Sequence, residues 1–422
     1  MALSPRLERV FILVRKGSNR MKKEILKELI LKNNQKIIFL TMDGLGGHST
    51  SENSKTELET AFTPNLDRYV SEGICGLLDP VSPGITPGSG PGHLALFGYD
   101  PLEFIIGRGV LSALGIDFEL TGRDIPARLN FCTIDSNGVV TDRRAGRIST
   151  ELNRKLCGKI RNDVKLSDGI RFFLETESEH RAVFILRGDN LGGNILDTDP
   201  QKEGEKPREP VGTNEASRRT VKYVKEFLSQ VSTILRDEHP ANMILARGFA
   251  KFDPLPTMEE RYGLKSLAIA QYPMYRGIAR LVGMKVPQKP ETYEDMWSQL
   301  KDNYQEYDFF FVHFKKTDSY GEDGNFDAKV KMIETVDQWS KKLWELNPDV
   351  IVVTGDHSTP SLLKSHSWHP VPTLLWAKYC RPDEVTTFGE RYCREGNMGR
   401  MAMKHLIFLS LANAQRLKKF GA

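Results

Sequence analysis

Three continuous apolar segments constrain the fold of this 422-residue chain more than any other feature. They are KIIFLT at 36–41, YDFFFVHF at 307–314 and DVIVVT at 349–354. Strands that are apolar at nearly every position are typical of parallel sheets with both faces covered. Helix-like segments, such as 326–343, separate them. We therefore predict an α/β fold with a mostly parallel sheet covered by helices on both faces.

The predicted strands lead into residues that can bind metals or carry out chemistry. In open α/β sheets, ligands bind beyond the carboxyl ends of the strands. The residues at these ends are Asp43, Asp318, Asp356 and His357, and Ser89 follows a further predicted strand at 76–78. We expect them to form one site.

Two of these strand ends carry residues typical of metal ligands. Three glycines follow Asp43 within four residues, which suits a ligand of a hard cation and equally suits an Asp-Gly turn. Asp356 and His357 offer adjacent oxygen and nitrogen donors that suit Zn²⁺ or Mn²⁺. Ser358 and Thr359 beside them also fit a helix cap, which is the alternative.

A second set of candidate ligands follows the strand at 307–314. Asp318 and Glu322 are close enough to repel each other unless a cation or a helix N-terminus offsets their charge. His366 lies nine residues beyond His357, in the polar segment SHSWHP. All three side chains could bind one cation. The alternatives are that one of the two carboxylates caps a helix and that His366 is a solvated loop histidine.

Ser89 is the candidate nucleophile. It lies in TPGSGPGH, where glycines on both sides leave its hydroxyl uncrowded and a following helix would direct N–H groups towards a phosphate. The segment is neither a Walker A loop nor a GxGxxG fingerprint, and a plain Gly/Pro loop is the alternative. His93 lies one helical turn later, where it could contact the phosphoryl group or simply pack the helix.

Together, two carboxylate/histidine sets and one glycine-flanked serine fit a two-cation phosphoryl-transfer site. One cation would lower the pKa of the serine hydroxyl, and both would neutralise charge on the transferring group.

The middle of the chain differs in composition from both ends. Residues 116–255 are richer in charge and contain alternating strands, which predicts a smaller inserted α+β domain. The core would then comprise 21–115 and 256–422. Residues 1–20 are expected to be a disordered N-terminal extension, or one that an incorrectly assigned start adds, with Met21 as the alternative start.

Charge and cysteine content exclude several classes of protein. Residues 1–36 hold ten Lys/Arg and three Asp/Glu, so the net charge of +4 reflects the N-terminus and not a nucleic-acid-binding face. No apolar run is long enough for a membrane span. Five widely spaced cysteines without a CxxC pair favour a reducing compartment, so we expect a cytoplasmic protein.

The motifs TMDGLGG, TPGSGPGHLALFGYDP, VVTGDHSTPS and HSWHPVP, with matches from about 37 to 422, resemble the cofactor-independent phosphoglycerate mutases of the archaeal type. This family belongs to the alkaline phosphatase superfamily, so the resemblance implies that fold with an inserted domain closing over the site. It also implies a phosphoglycerate substrate, a phosphorylated Ser89, two divalent ions and no requirement for 2,3-bisphosphoglycerate. The ions would be Mn²⁺ or, as alternatives, Co²⁺, Mg²⁺ or Zn²⁺.

The resemblance also implies roles for individual residues. One metal would be held by Asp43, Ser89, Asp356 and His357, and the other by Asp318, Glu322 and His366. The family commonly has a histidine at position 322, so glutamate is a departure. The residues that resemble substrate-binding positions are Arg128, Asn130, Arg143, Arg144, Arg147 and Arg187, while Arg276 is a weaker candidate for a basic group at the core site.

The most favoured function is therefore interconversion of 3-phosphoglycerate and 2-phosphoglycerate in glycolysis and gluconeogenesis. A metal-dependent phosphatase or another phosphomutase of the superfamily is the alternative, because the core motifs prescribe only phosphoryl transfer. A metal-binding regulatory protein without activity is a third hypothesis, motivated by Glu322.

Overall fold

The computed structural model describes residues 27–49 and 54–421, so the predicted extension at 1–20 lies outside the described residues. The chain divides into two compact units. The core unit comprises the described parts of Met1–Glu103, Pro256–Gln271 and Val282–Ala422. The second unit comprises Phe104–Leu255 and Tyr272–Leu281.

The described strands are numbered in chain order. They are β1 (Ile37–Met42), β2 (Ile74–Asp79), β3 (Asp124–Ile134), β4 (Val140–Asp142), β5 (Arg171–Ser178), β6 (Arg181–Arg187), β7 (Met243–Arg247), β8 (Ser266–Ala270), β9 (Phe309–Phe314), β10 (Val350–Thr354), β11 (Val371–Ala377) and β12 (Gly399–Ala402).

The described α-helices are numbered in the same way. They are α1 (Glu57–Thr60), α2 (Pro64–Ser71), α3 (Ser89–Leu96), α4 (Arg108–Gly115), α5 (Thr150–Asp163), α6 (Glu215–Leu235), α7 (Met258–Tyr262), α8 (Pro273–Leu281), α9 (Tyr293–Asn303), α10 (Lys316–Glu322), α11 (Phe326–Ser340), α12 (Glu390–Cys393) and α13 (Leu406–Asn413). Short 3₁₀ turns occupy Ala145–Arg147, Lys341–Leu346 and Met403–His405.

The core unit is built on a seven-stranded sheet of order β12-β2-β11-β10-β1-β9-β8. The central strand β1 pairs in parallel with both β9 and β10. Within the described sheet, β11 alone runs antiparallel to its neighbours. Every residue of β1, β9 and β10 is buried, so both faces of the sheet are covered. The predicted α/β class with a mostly parallel sheet is confirmed.

Helix α11 belongs to the main core of this unit. Alternate residues of β1, including Ile38 and Leu40, share one apolar cluster with Ile333 and Val336 of α11. Residues two apart in a strand point to the same face, and residues three apart in a helix lie on one stripe. This packing fixes α11 beside the central strand.

The second unit has an antiparallel sheet of order β4-β3-β6-β5, with β7 also paired to β3. Helices α5 and α6 share an apolar core with it, which includes Leu156, Ile160, Phe227 and Val231. This is the smaller α+β unit that the charge-rich middle of the sequence predicts.

The second unit is larger than the predicted 116–255, because it starts at Phe104 and includes Tyr272–Leu281. The additional helices α4 and α8 pack closely: a Cβ on Gly277 would lie 2.8 Å from the backbone nitrogen of Gly115. Only glycine permits this approach. Both helices bury apolar residues, and the spacing of apolar residues alone does not tell which of two sheets a helix covers.

Among the described residues, no helix combines the length and the apolar character that crossing a membrane requires.

Candidate active site

The ends of three neighbouring strands bring four predicted metal ligands together. Asp43 follows β1 directly, Asp356 and His357 follow β10, and Asp318 lies in α10, just after β9. Each of the four is at most 1% exposed. Because parallel strands end at the same edge of the sheet, residues that are distant in sequence meet here.

These ligands form two groups of three that share His357. Asp43, Asp356 and His357 make the first group, and Asp318, His357 and His366 the second, with donor atoms within 4.8 Å of one another. Nε2 of His357 lies 3.3 Å from Oδ1 of Asp43 and 3.2 Å from Oδ2 of Asp356. Nε2 of His366 lies 3.6 Å from Oδ1 of Asp318. Atoms each about 2 Å from one cation lie roughly 3 Å apart, so these separations suit shared ions.

Thr359 fixes the proton of the shared histidine. Its hydroxyl donates to Oδ1 of Asp318 at 2.6 Å and lies 3.0 Å from Nδ1 of His357. A hydroxyl has one proton, so in this arrangement Nδ1–H of His357 must be the donor to Thr359. The lone pair of His357 is then on Nε2, which faces the carboxylates. Such an outer partner orients a metal-binding imidazole.

The same tautomer follows for His366. Its Nδ1 lies 2.9 Å from the carbonyl oxygen of Pro87, which can only accept a hydrogen bond. Nδ1 of His366 is therefore protonated, and its Nε2 presents a lone pair towards Asp318. Both histidines are thus held in the form that binds a cation.

Ser89 is the first residue of α3, and its hydroxyl points at the shared histidine. Oγ of Ser89 lies 3.3 Å from Nε2 of His357. Gly88 is the N-cap of this eight-residue helix and makes no side-chain cap bond. The first N–H groups of a helix favour an anion, so a phosphoryl group on Ser89 would face them.

His93 lies behind the ligands, on the same helix as Ser89. It is fully buried, with Nδ1 2.8 Å from the carbonyl oxygen of Ser89 and 3.0 Å from Oδ2 of Asp356. Burial opposes protonation of this imidazole, but the Asp356 carboxylate outweighs it and raises the pKa of His93. The geometry differs from the predicted contact with a phosphoryl group, because His93 faces a ligand.

Two residues of the site were missed in the sequence. His313 lies in β9 with Nε2 3.4 Å from Oδ2 of Asp43. Lys315 follows β9, with Nζ 3.3 Å from Oδ2 of Asp43 and an ion pair to Asp318. A histidine inside an otherwise apolar strand, and a lysine at its end, were the available signals.

Burial and charge set the protonation of these groups. Burial lowers the pKa of His357 and of His313, which favours the neutral, metal-binding form. Burial also opposes the charge of Lys315, but the Asp43 and Asp318 carboxylates outweigh it and raise the pKa of Lys315. The carboxylates and neutral imidazoles fit divalent ions that accept oxygen and nitrogen ligands.

Glu322 lies at the rim of the second group. Its Oε1 is 3.8 Å from Nε2 of His366, and 55% of its side chain is exposed. Partial burial, followed by the charge of Asp318, raises the pKa of Glu322. Glu322 is therefore near enough to approach an ion there, but more exposed than the other candidate ligands.

Arg128 and Asn130 of β3 have polar atoms without hydrogen bonds in the described part of the chain. These atoms are Nε of Arg128 and Oδ1 of Asn130, and both are buried. Arg247, a residue that the sequence analysis missed, lies opposite Arg128 in the β3–β7 register. Its Nε makes no hydrogen bond in the described part of the chain, but its Nη1 lies 3.3 Å from Oδ2 of Asp199 in an ion pair. Uncommitted buried donors and acceptors are what a polar ligand would satisfy.

Arg143 and Arg187 are bound to carboxylates of their own unit. Arg143 donates to both oxygens of Asp199 at 3.0 and 2.7 Å, and Arg187 to both oxygens of Asp124 at 2.6 Å. Both carboxylates are completely buried. In these two bidentate pairs, the guanidinium groups of Arg143 and Arg187, both predicted to bind substrate, are hydrogen-bonded to carboxylates of the chain itself.

Arg144 and Arg147 are exposed, and Arg147 belongs to a strained turn that begins just after Arg144. Three consecutive residues of this turn, Ala145, Gly146 and Arg147, have φ values of 48°, 61° and 52°. Left-handed backbone is costly for Ala145 and Arg147 and is often found at binding sites.

Arg276 was predicted as a basic group at the core site. It lies on α8 of the second unit and is 6% exposed, and burial lowers its pKa. The sequence prediction placed it with the core because 256–422 was assigned to the core as one block.

Comparisons with known proteins identify the family of this chain. The family model for 2,3-bisphosphoglycerate-independent phosphoglycerate mutase matches residues 70–242. A protein of Aquifex aeolicus called a probable 2,3-bisphosphoglycerate-independent phosphoglycerate mutase is 48% identical over 407 residues, covering 94% of this chain and 100% of its own length. The chain belongs to this family. A Thermus thermophilus protein with the same name is 47% identical, with 94% of this chain and 99% of its own length covered.

Solved structures support the family assignment. The cofactor-independent phosphoglycerate mutase of Thermoplasma acidophilum has a TM-score of 0.71 and 29% identity, covering 90% of this chain and all of its own. A protein from Pyrococcus horikoshii gives a TM-score of 0.78 at 28% identity, with 93% and 100% covered. The mutase family predicted from the sequence motifs is confirmed.

Proposed function

We propose that this chain interconverts 3-phosphoglycerate and 2-phosphoglycerate through a phosphorylated Ser89, without 2,3-bisphosphoglycerate. The observation that carries this proposal is the 3.3 Å contact between Oγ of Ser89 and Nε2 of His357. His357 belongs to both groups of potential metal ligands, so the serine hydroxyl lies where both groups converge. The names of the relatives supply the substrate, and we further propose a cytoplasmic role in glycolysis and gluconeogenesis.

Two divalent ions fit the side chains of the core unit. Asp43, Asp356, His357 and Ser89 would hold one, and Asp318, His366 and Glu322 the other. We propose Mn²⁺, with Co²⁺, Mg²⁺ and Zn²⁺ as alternatives, because the ligand set combines carboxylates with imidazoles. When bound, such ions lower the pKa of a coordinated hydroxyl and neutralise charge on a phosphoryl group.

The proposed reaction consists of two phosphoryl transfers. In the first, Oγ of Ser89 attacks the phosphorus of 3-phosphoglycerate, a serine–phosphate bond forms, and the bond to the C3 oxygen breaks. The serine proton leaves and the C3 oxygen gains one. In the second transfer, the C2 oxygen of the same glycerate attacks the phosphoserine, and the bond between phosphorus and Oγ breaks. The C2 hydroxyl loses its proton and Oγ gains one. The N-terminus of α3 and the ammonium group of Lys315 favour the phosphoryl charge, and water must be excluded to prevent hydrolysis.

We assign binding of the substrate's anionic groups to the second unit. Phosphoglycerate carries a carboxylate and a phosphate, and guanidinium groups match both. Nε of Arg128, Nε of Arg247 and Oδ1 of Asn130 make no hydrogen bond in the described part of the chain, although both arginines have carboxylates nearby. Arg144 and Arg147 are exposed. Arg143 and Arg187 would instead support the unit through their buried carboxylate partners.

The function itself is tested by a coupled assay with enolase. Full-length protein loaded with Mn²⁺ is expected to convert 3-phosphoglycerate to 2-phosphoglycerate with no 2,3-bisphosphoglycerate present. Release of free phosphate faster than formation of the isomer would favour the phosphatase alternative. Absence of turnover in the metal-loaded protein would favour the regulatory alternative.

Arg128→Met is expected to lower kcat/KM for 3-phosphoglycerate by about 10- to 100-fold, because hydrogen bonds to charged groups contribute roughly 1.5–3 kcal/mol. The matched control is Arg123→Met, since Arg123 is exposed and pairs with Asp189 at the surface. The control should keep kcat/KM within twofold of the wild-type value. Equal kcat/KM in both variants would remove Arg128 from the binding site.

Glu322→Gln is expected to weaken the binding of one of the two ions by about tenfold, as changes near metal ligands commonly do. Isothermal titration with Mn²⁺ measures this, and Asp323→Asn, a neighbouring exposed acid, is the control. If Glu322→Gln and the control bind Mn²⁺ equally well, Glu322 is not a metal ligand. The glutamate at position 322, where the family commonly has histidine, then has no effect on Mn²⁺ affinity.

A further inference from the structure

A lysine of helix α11 is completely buried beneath the two loops that carry the first group of metal ligands. Nζ of Lys329 donates to the carbonyl oxygens of Gly44 at 2.9 Å, Gly46 at 3.2 Å and Thr359 at 2.8 Å. An ammonium group has three protons, so these contacts satisfy all of its donors. The reaction proposed above assigns no role to Lys329.

The three acceptors belong to two segments that follow different strands. Gly44 and Gly46 come directly after Asp43, at the end of β1, and Thr359 comes two residues after His357, beyond β10. The backbone N–H of Thr359 also donates to the carbonyl oxygens of Gly44 and Gly46, at 3.2 and 3.1 Å. One ammonium group therefore ties together the loops that present the ligands of the first group.

A buried carboxylate balances the charge of this lysine. Oε1 of Glu57 lies 3.9 Å from Nζ of Lys329, and Glu57 is 1% exposed. The same oxygen accepts a hydrogen bond from the backbone N–H of Ser361 at 2.7 Å. Glu57 thus holds the second loop two residues beyond Thr359. A buried charge is costly unless it is paired and hydrogen-bonded, and Lys329 meets both conditions.

An apolar core alone would not fix these loops. Two of the three acceptors belong to glycine residues, whose backbone is the least restricted. Without Lys329, three buried carbonyl oxygens would lose a charged donor. The hydrogen bonds from the backbone N–H of Thr359 would remain, but the separation of Asp43 from Asp356 and His357 would be less closely defined. Small displacements of groups that must act together have large effects.

We propose that Lys329 is a positioning residue that sets the distance between the Asp43 loop and the Asp356–His357 loop, and thereby the affinity of the first group for a divalent ion. This inference rests on the proposed metal-dependent function. It concerns the free protein, however, and is measured without substrate.

The test compares three full-length variants by titration with Mn²⁺, followed by electron paramagnetic resonance. Lys329→Met is expected to bind one of the two ions about 10- to 100-fold more weakly, the usual cost of losing an outer partner of metal ligands. Lys331→Met changes an exposed lysine of the same helix, whose side chain is 80% exposed, and should bind Mn²⁺ as the wild type does. Ile333→Val trims a completely buried core residue and should lower the melting temperature without changing Mn²⁺ affinity.

A purely structural role for Lys329 gives a different result from positioning. If Lys329→Met melts at a lower temperature but binds both ions within twofold of the wild type, the inference is wrong. If it binds Mn²⁺ more weakly, its kcat at limiting Mn²⁺ should fall and recover as Mn²⁺ is raised, with an unchanged KM for 3-phosphoglycerate. Should Lys329→Met fail to fold, the double variant with Glu57→Gln removes the unpaired carboxylate and takes its place in the titration.

The two proposals fail in distinguishable ways. Wild-type protein that binds Mn²⁺ but does not isomerise phosphoglycerate would overturn the function, while weaker Mn²⁺ binding by Lys329→Met would still support the positioning role. Wild-type protein that is an active mutase, with equal Mn²⁺ affinity in Lys329→Met, would overturn the positioning role alone.

Discussion

Ser89→Ala is expected to lower the mutase kcat by about 10⁴-fold or more, because removing a nucleophile abolishes the covalent route and leaves only the remaining catalytic groups. The variant should still bind Mn²⁺, because three other ligands of the first group are unchanged. The coupled enolase assay measures kcat, and incubation with radiolabelled 3-phosphoglycerate followed by acid quenching measures label on the protein. Wild-type protein should retain label, and Ser89→Ala should not.

Ser365→Ala is the matched control for the nucleophile. Ser365 is an exposed serine next to His366, so its removal changes a hydroxyl near the site without affecting the proposed nucleophile. Its kcat should stay within twofold of the wild-type value. Turnover by Ser89→Ala within tenfold of wild type, or label at another residue, would rule out the phosphoserine at this position.

The fold was predictable where burial leaves a pattern in the sequence. Strands β1, β9 and β10 are buried on both faces and are therefore apolar at nearly every position, which identified a parallel sheet. The limits of the second unit were not predictable in this way. Helices α4 and α8 are held together by the close approach of Gly115 and Gly277, and contacts between residues so distant in sequence leave no local signal.

The candidate ligands were predictable because each strand end is a defined place in an α/β sheet. Asp43, Ser89, Asp318 and His357 could thus be assigned to one site before any contact was known. The tautomer of His357 could not be predicted from the sequence, because it depends on the hydrogen bond that Thr359 donates to Asp318 on another loop. Such hydrogen bonds exist only in the folded chain.

The sequence also could not distinguish arginines that are available to a substrate from arginines that pair with carboxylates of the chain. Arg128, Arg143 and Arg187 are equivalent as residue types, but two of them face a buried carboxylate in the structure. Asp199 and Asp124 lie 56 and 63 residues from their partners in the chain. Whether an arginine is available to a ligand therefore depends on tertiary pairing, which composition and spacing do not encode.

Asp318→Asn is expected to reduce bound Mn²⁺ from two ions to one and to lower kcat by about 10³-fold, since two-metal sites need both ions to stabilise the attacking and leaving oxygens. An amide binds a cation more weakly than a carboxylate does, and Oδ1 of Asp318 faces His366 as well as Thr359. Dialysed protein analysed by inductively coupled plasma mass spectrometry gives the metal content, and the coupled assay gives kcat.

Asp43→Asn is the complementary variant, because Asp43 belongs to the first group only. It should also bind a single ion, and the ion that remains should be sensitive to Glu322→Gln, whereas the ion that remains in Asp318→Asn should not. Asp327→Asn, an exposed acid on α11, controls for the loss of one negative charge. If either site variant kept two tightly bound ions and full turnover, the assignment of the carboxylates to two separate cations would be wrong. The expected pattern requires that the two ions bind independently, although His357 lies within both groups of potential ligands.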